Sequence, residues 1–174
     1  MAFYIAQAIS VLSTVTNILT MQLKSMKHIL LGQILANLLS GSTFLLLGGF
    51  SGSGVCFIAI AQSVIMFLYA QKNKKPHLAV IIGFIALYIG CSAYYYQSFV
   101  DIFSCLGAIS FALSVAQKKP SASRLWYLLN PVFWMVYSIS TRAYGNIIMH
   151  VLVFASTAAA ILRNDLPQLQ KEKS

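Results

Sequence analysis

Apolar runs about twenty residues long, each ended by a few polar or glycine-rich positions, recur along nearly the whole chain. They fall at about 2–22, 28–48, 54–71, 78–96, 98–117, 125–142 and 144–162, and between them stand LKSMK, GGFSGSG, KNKKPH, an almost absent turn at Tyr96 and Gln97, KKPSASR and the corner RAYG. A helix rises 1.5 Å per residue, so roughly 20 residues cross a hydrocarbon core about 30 Å thick. Each run therefore predicts one transmembrane helix, the form in which a lone segment satisfies its own backbone in lipid. The stretch from Leu78 to Gln117 is read as two helices, because forty residues in one would extend about 60 Å. Tyr94, Tyr95 and Tyr96 then form an interfacial aromatic belt at the turn between them. The predicted fold is an all-α polytopic membrane protein with seven spans.

Composition supports this reading. With 59% apolar residues, 9% charged residues and a mean hydropathy of +0.77, a water-soluble fold could not cover its apolar surface. A net charge of +9 raises nucleic acid as a partner, yet the twelve Lys and Arg sit in short clusters between apolar runs and form no continuous basic face. The expected surroundings are the lipid bilayer, with no nucleic acid. With seven spans, Lys24, Lys27, Lys72, Lys74, Lys75, Lys118, Lys119, Arg124, Arg163, Lys171 and Lys173 share one side and Arg142 stands alone on the other. By the positive-inside rule this predicts an N-terminus outside and a C-terminus in the cytoplasm. The first run has no basic n-region and no cleavage signal, so it is read as a span. After Arg163, the segment NDLPQLQKEKS is expected to be a polar cytoplasmic tail over 164–174. Cys56, Cys91 and Cys105 lie in apolar runs and read as small apolar side chains. His28 and His77 stand in basic loops without ligand-like companions, so no metal and no cofactor are expected.

An internal repeat is visible when Asn37 is set against Asn130. ANLLSGSTFLLLGGFSG then runs beside LNPVFWMVYSISTRAYG without a gap, Gly52 meets Gly145 and Ser63 meets Ser156. Gln22 and Gln117 each close a span just before a basic loop. Spans one to three and five to seven share order, orientation and loop charge, which predicts two parallel three-helix bundles, 1–76 and 98–163, joined by an inverting linker helix over 77–97. This 3+1+3 plan resembles the SWEET and PQ-loop transporters and the PnuC-type transporters. The chain as a whole, from the early polar segment TVTNILTMQLKSMKH through the short seven-span layout, resembles the bacterial inner-membrane YgjV family over about residues 3–163. SWEET-type proteins carry prolines in the first two helices of both bundles and asparagines on the third. Here Pro131 is the only proline inside a span, and Gln62 and His150 are the nearest polar groups on the third helices, so sugar specificity does not carry over.

Polar side chains at bilayer depth cost energy unless paired and so point to pathways. Gln7, Ser10, Thr14 and Asn17 share one face of the first span, and Gln33, Asn37 and Ser40 one face of the second. The sixth offers Asn130, Trp134, Tyr137 and Thr141, the seventh Asn146, His150 and Thr157. If these faces meet around a cavity, Asn37, Asn130, Gln33, Gln62, Trp134 and Asn17 are the candidate substrate-binding residues. The competing role is hydrogen bonding between helices, worth about 0.6 kcal/mol on average. Asp101, read as the only acid within the apolar region, and His150 are candidates for passing or sensing a proton; the alternatives are a hydrated carboxylate favourable to the helix dipole and an imidazole bonded to a carbonyl. Trp126 reads as an interface anchor. Pro131 predicts a kink or an exposed carbonyl.

These features favour a carrier for a small polar solute, working by alternating access between two bundles, over a non-transporting subunit or assembly factor that binds another membrane protein. An enzyme is not expected: no nucleotide loop is present, and Cys105 with His150 is the sole nucleophile and base to consider. Gly41, Gly48, Gly83, Gly90 and Gly107 permit close helix contacts, within the chain or between copies in a homo-oligomer.

Overall fold

The computed structural model of the chain describes residues 2–47, 50–96, 98–140 and 144–165. Within them run α1 (Ala2–Gln22), α2 (Met26–Leu46), α3 (Phe50–Gln71), α4 (Leu78–Tyr94), α5 (Asp101–Val115), α6 (Pro120–Tyr127), α7 (Leu129–Ser140) and α8 (Tyr144–Ala160), with a π-helical turn, Ile161–Asp165, continuing the last. Four segments, Phe3–Gln22, Met26–Leu46, Phe50–Gln71 and Ile147–Asp165, are long and apolar enough to cross a membrane. The fourth and fifth expected spans are the shorter apolar helices α4 and α5. The expectations placed on Gly48, Gln97, Thr141, Arg142, Lys171, Lys173 and the Asn146 side chain lie outside what is described.

The sixth span departs from a single helix. It divides into α6 and α7 at Leu128, and Pro131 gives the reason. Its ring offers no N–H to the carbonyl four residues earlier, that of Tyr127, and crowds it, so the helix breaks one turn before the proline. The first turn of α6 carries Pro120 where a missing N–H costs nothing.

Six helical layers close into a ring. α1 packs on α2, α2 on α3, α3 on α5, α5 on α7, α7 on α8, and α8 returns to α1; α4 lies outside, against α3 and α5. Small residues set some of the closest approaches. A Cβ on Gly32 of α2 would collide with Thr20 of α1, and one on Gly107 of α5 would stand 2.9 Å from Trp134 of α7. Gly83 and Gly90, by contrast, face open space on α4. Large apolar side chains such as Leu12, Leu35, Leu68, Ile82 and Leu152 are exposed on the outside. Such a surface suits lipid.

One end of the ring is tied by a buried charge. Arg124 of α6 is 2% exposed, and its Nη1 donates to Asp165 Oδ1 at 2.7 Å. Its Nε donates to the Met21 carbonyl at 2.9 Å, and Nη2 to the Leu23 carbonyl, so the guanidinium also covers the last carbonyls of α1. Those carbonyls have no partner within the helix. Beside it, Arg163 donates to Gln22 Oε1 and Gln22 Nε2 to the Ser156 carbonyl, both at 2.9 Å. This corrects two expectations. Asp165 is not part of a free tail but a buried residue closing the last helix, and Asp101 is therefore not the only acid in the packed region. Arg124 is not a hydrated loop charge. The reason is shared: each ion offsets part of the penalty of burying the other, although Asp165 Oδ2 has no partner among the described residues, and neither position looks apolar when read alone.

Arg124→Gln is expected to destabilise the protein by about 3–5 kcal/mol, because it leaves a buried carboxylate and two carbonyls without their cation. That corresponds to a fall in melting temperature of about 10 °C for a chain of this size, measured in detergent. Adding Asp165→Asn is expected to recover part of the loss, since the orphaned charge is then gone. A single variant as stable as the parent would show that this contact does not hold the ring.

Candidate functional site

The polar faces of the helices meet inside the ring, around a cavity of about 100 Å³. At roughly 10–15 Å³ per water, this holds several waters or a small solute. α1 contributes Ser10, Ser13 and Asn17, and α2 contributes Gln33, Asn37, Ser40 and Phe44. Opposite them stand Tyr127 of α6, Asn130 and Trp134 of α7, and Met149 and His150 of α8. Among the described residues, no Asp, Glu, Lys or Arg lines the space.

Most of these groups are already oriented by hydrogen bonds. Asn37 Nδ2 donates to the Gln33 carbonyl one turn back, at 2.8 Å, and Asn130 Nδ2 donates across to the Gly107 carbonyl at 2.9 Å. Each amide thus has one N–H fixed, while a second N–H and a carbonyl oxygen remain as capacity for a ligand. The Tyr127 hydroxyl donates to Asn17 Oδ1 at 2.9 Å. Ser13 bonds the Ala36 carbonyl at 3.1 Å and Ser40 Oγ at 2.7 Å, and Ser10 donates to Met149 Sδ at 3.1 Å, so α1 is held to α2 on one flank and α8 on the other. Gln33 differs from all of these. It is 2% exposed, and its Nε2 makes no hydrogen bond of ordinary length among the described residues, although the amide faces the Tyr127 hydroxyl. A desolvated amide donor left in this state costs about 1–3 kcal/mol.

Aromatic rings close one side. Trp134 lies nearly parallel to Phe44, with centroids 6.0 Å apart, and to His150, 6.3 Å apart, while Tyr137 meets it edge-on. The Gly107 backbone presses against the indole, and the absence of a side chain there is what lets Trp134 seat itself.

The chain matches the Imp-YgjV family, described as bacterial inner membrane protein, over residues 4–168. It belongs to this family. No curated protein and no solved structure matches it.

Of the candidates read from this YgjV-family sequence, Asn17, Gln33, Asn37, Asn130, Trp134 and His150 come together in the cavity wall. Gln62 does not. It is fully buried and used within the protein, receiving a hydrogen bond from the Tyr88 hydroxyl at 3.0 Å and donating to the Ala112 carbonyl at 3.2 Å. Asp101 stands at the first turn of α5, where the Ser98 backbone N–H donates to its Oδ2 at 2.7 Å; it does not line the cavity. On α1 the inward face is Ser10, Ser13 and Asn17, while Thr14 bonds its own helix at Ser10 and Gln7 is exposed. Sequence reasoning missed Phe44, Tyr88, Tyr127 and Met149. Phe44 extends the spacing of Gln33, Asn37 and Ser40 by one further turn, and Tyr127 lies three residues before Asn130, so a helical wheel that admitted aromatics would have found both.

Replacing Gln33 with Leu is expected to stabilise the solute-free YgjV-family protein by about 1–3 kcal/mol, because the unpaired donor disappears. A melting temperature that instead falls by several degrees would mean that the Gln33 amide is satisfied in the resting protein.

Proposed function

We propose that this protein is a carrier for a small, polar, uncharged solute, and that its two halves rock about the central cavity. The observation that carries the proposal is the buried Gln33 amide, its donor without an ordinary hydrogen bond, in a wall of Asn, Ser and Tyr groups that holds no charged side chain among the described residues. Ser63, Ser92, Asn164 and Asp165 also bury a polar atom without a partner among the described residues, but of these atoms the Gln33 amide is the one at the cavity wall. A neutral solute that accepts this hydrogen bond and meets Asn37 and Asn130 would complete the set.

The packing supports the division into two three-helix units with α4 as linker. Asn37 and Asn130 are separated by 93 positions. The same interval carries α2 onto 119–139, occupied by α6 and α7, and α3 onto 143–164, occupied by α8 and its π turn; it brings the end of α1 onto the end of α5. Neighbour relations follow the same correspondence: α1 on α2 and α2 on α3 answer to α5 on α7 and α7 on α8, and α3 on α5 answers to α8 on α1. A ring with such a pseudo-twofold places equivalent helices on opposite sides of one site, the geometry alternating access requires. Of the two proton-coupling candidates, His150 reaches the wall of the cavity. The lysine-bearing ends of the helices are assigned to the cytoplasm by the positive-inside rule.

The test is thermal stability of the purified protein against neutral sugars, nucleosides, vitamins and amides at two pH values, followed by uptake of any hit into proteoliposomes. A stabilising solute is expected to bind about tenfold more weakly to Asn37→Ala/Asn130→Ala, the loss of two hydrogen bonds, and to be taken up by the parent alone. No shift and no uptake with any compound, together with a protein that co-purifies stoichiometrically, would favour a partner-binding subunit instead.

A further inference from the structure

A second cavity, of about 190 Å³, opens at the end of the ring where the lysines gather. α2, α3 and α5 form it, and three separate parts of the chain each send one lysine to it: Lys27 from the first turn of α2, Lys74 from the segment after α3 and Lys118 from the segment after α5. Lys74 is brought there by the way α3 ends. Asn73 takes a left-handed φ of 51°, and the Lys74 N–H returns to the Tyr69 carbonyl at 3.1 Å. The deeper wall is apolar, with Met26, Leu30, Met66 and Val115. Among the described residues, no carboxylate lines the space.

The opposite junction of the ring shows what such a place demands. Where α1, α6 and the end of the last helix meet, the cation Arg124 is matched by Asp165. Shifted by the interval that relates the halves, Asp165 falls on Lys72 and Arg124 on Leu31. The first junction therefore has more cations than the second and no acid in its wall. The chain cannot readily supply one. It has three acidic residues: Asp165 is held by Arg124, Asp101 begins α5 fifteen residues from the end that forms this cavity, and Glu172 lies outside the described residues. All three lysines that line this cavity are exposed, and three like charges around one opening favour an anion there.

We propose that this cavity binds the phosphate headgroup of an anionic phospholipid. The phosphate lies among Lys27, Lys74 and Lys118, and the glycerol and first methylenes run down the Met26, Leu30, Met66 and Val115 wall. Both halves of the cavity matter to this choice: the lysines select an anion, and the apolar wall selects one with an apolar stem. Basic pockets between helices at the membrane surface suit such headgroups. This assignment rests on the lysine and apolar wall of the cavity and stands whether or not the central cavity carries a solute.

The experiment is native mass spectrometry of the full chain with phosphatidylglycerol, phosphatidylethanolamine or inorganic phosphate added, on three proteins: the parent, Lys27→Gln/Lys74→Gln/Lys118→Gln, and the control Lys72→Gln/Lys75→Gln/Lys119→Gln, which removes the same charge outside the cavity. The parent and the control are expected to retain one tightly held phosphatidylglycerol. The cavity triple is expected to hold it about 100-fold more weakly, from roughly 1 kcal/mol per lysine near an anionic headgroup. Equal weakening in both triples would reduce the effect to diffuse surface charge and overturn the proposal. So would equal retention of phosphatidylethanolamine, or inorganic phosphate binding as tightly as the lipid. A Glu172→Gln variant reads the remaining occupant: unchanged lipid retention is expected, and a gain of tenfold or more would assign the cavity to the chain's own tail. Because the comparison of lipids on the parent needs no substitution, it decides the matter even if a triple variant fails to fold.

Discussion

A ring of helices in a bilayer has no hydrophobic effect to press its members together, since lipid tails are as apolar as the side chains that face them. Its closure has to come from contacts that lipid cannot replace. In this chain the guanidinium of Arg124 is the largest of these. It binds Asp165 and the terminal carbonyls of α1 at once, and so joins residues 21, 23, 124 and 165 in one place. Ser10 on Met149, Gln22 on Ser156 and Ser13 on Ser40 repeat the same logic with neutral groups along both flanks of α1. Everything else in the ring, including the central cavity, depends on α1 and α8 staying adjacent.

Inside that ring the polar groups fall into two kinds. Gln62, Ser114 and Ser123 are consumed in contacts between helices and serve as structure. Gln33, Asn37 and Asn130 keep hydrogen-bonding capacity pointed at an enclosed space. The distinction is energetic, because a satisfied amide in a low-dielectric interior is quiet and an unsatisfied one invites a ligand.

Much of this was legible in the sequence. Apolar runs near twenty residues gave the helices to within a few positions, and helical spacing put Asn17, Gln33, Asn37, Asn130, Trp134 and His150 on faces that do converge. The misses have physical causes. Spacing identifies a face but does not say whether it turns toward the cavity or toward a neighbour, which is why Gln62 looked like a binding residue and Thr14 was preferred to Ser13. Arg124 and Asp165 were read as solvated because each is polar in a polar stretch; only their mutual placement, 41 residues apart, makes burial tolerable. The division of the sixth span was foreshadowed by Pro131, whose effect appears a full turn upstream of the residue itself.

The absence of charged side chains around the central cavity reaches beyond binding. Moving one elementary charge through a membrane potential involves about 2.3 kcal/mol per 100 mV. If the proposed function holds, a neutral solute crossing beside Asn, Ser and Tyr groups would move none, and the electric field of the inner membrane would do no work on the cycle. Such a passage would run at the same rate in an energised cell and a depolarised one, and would level the solute's concentrations across the membrane without accumulating it. Uphill movement would require a travelling ion, and among the described residues of that wall His150 is the side chain with a basic nitrogen to receive a proton.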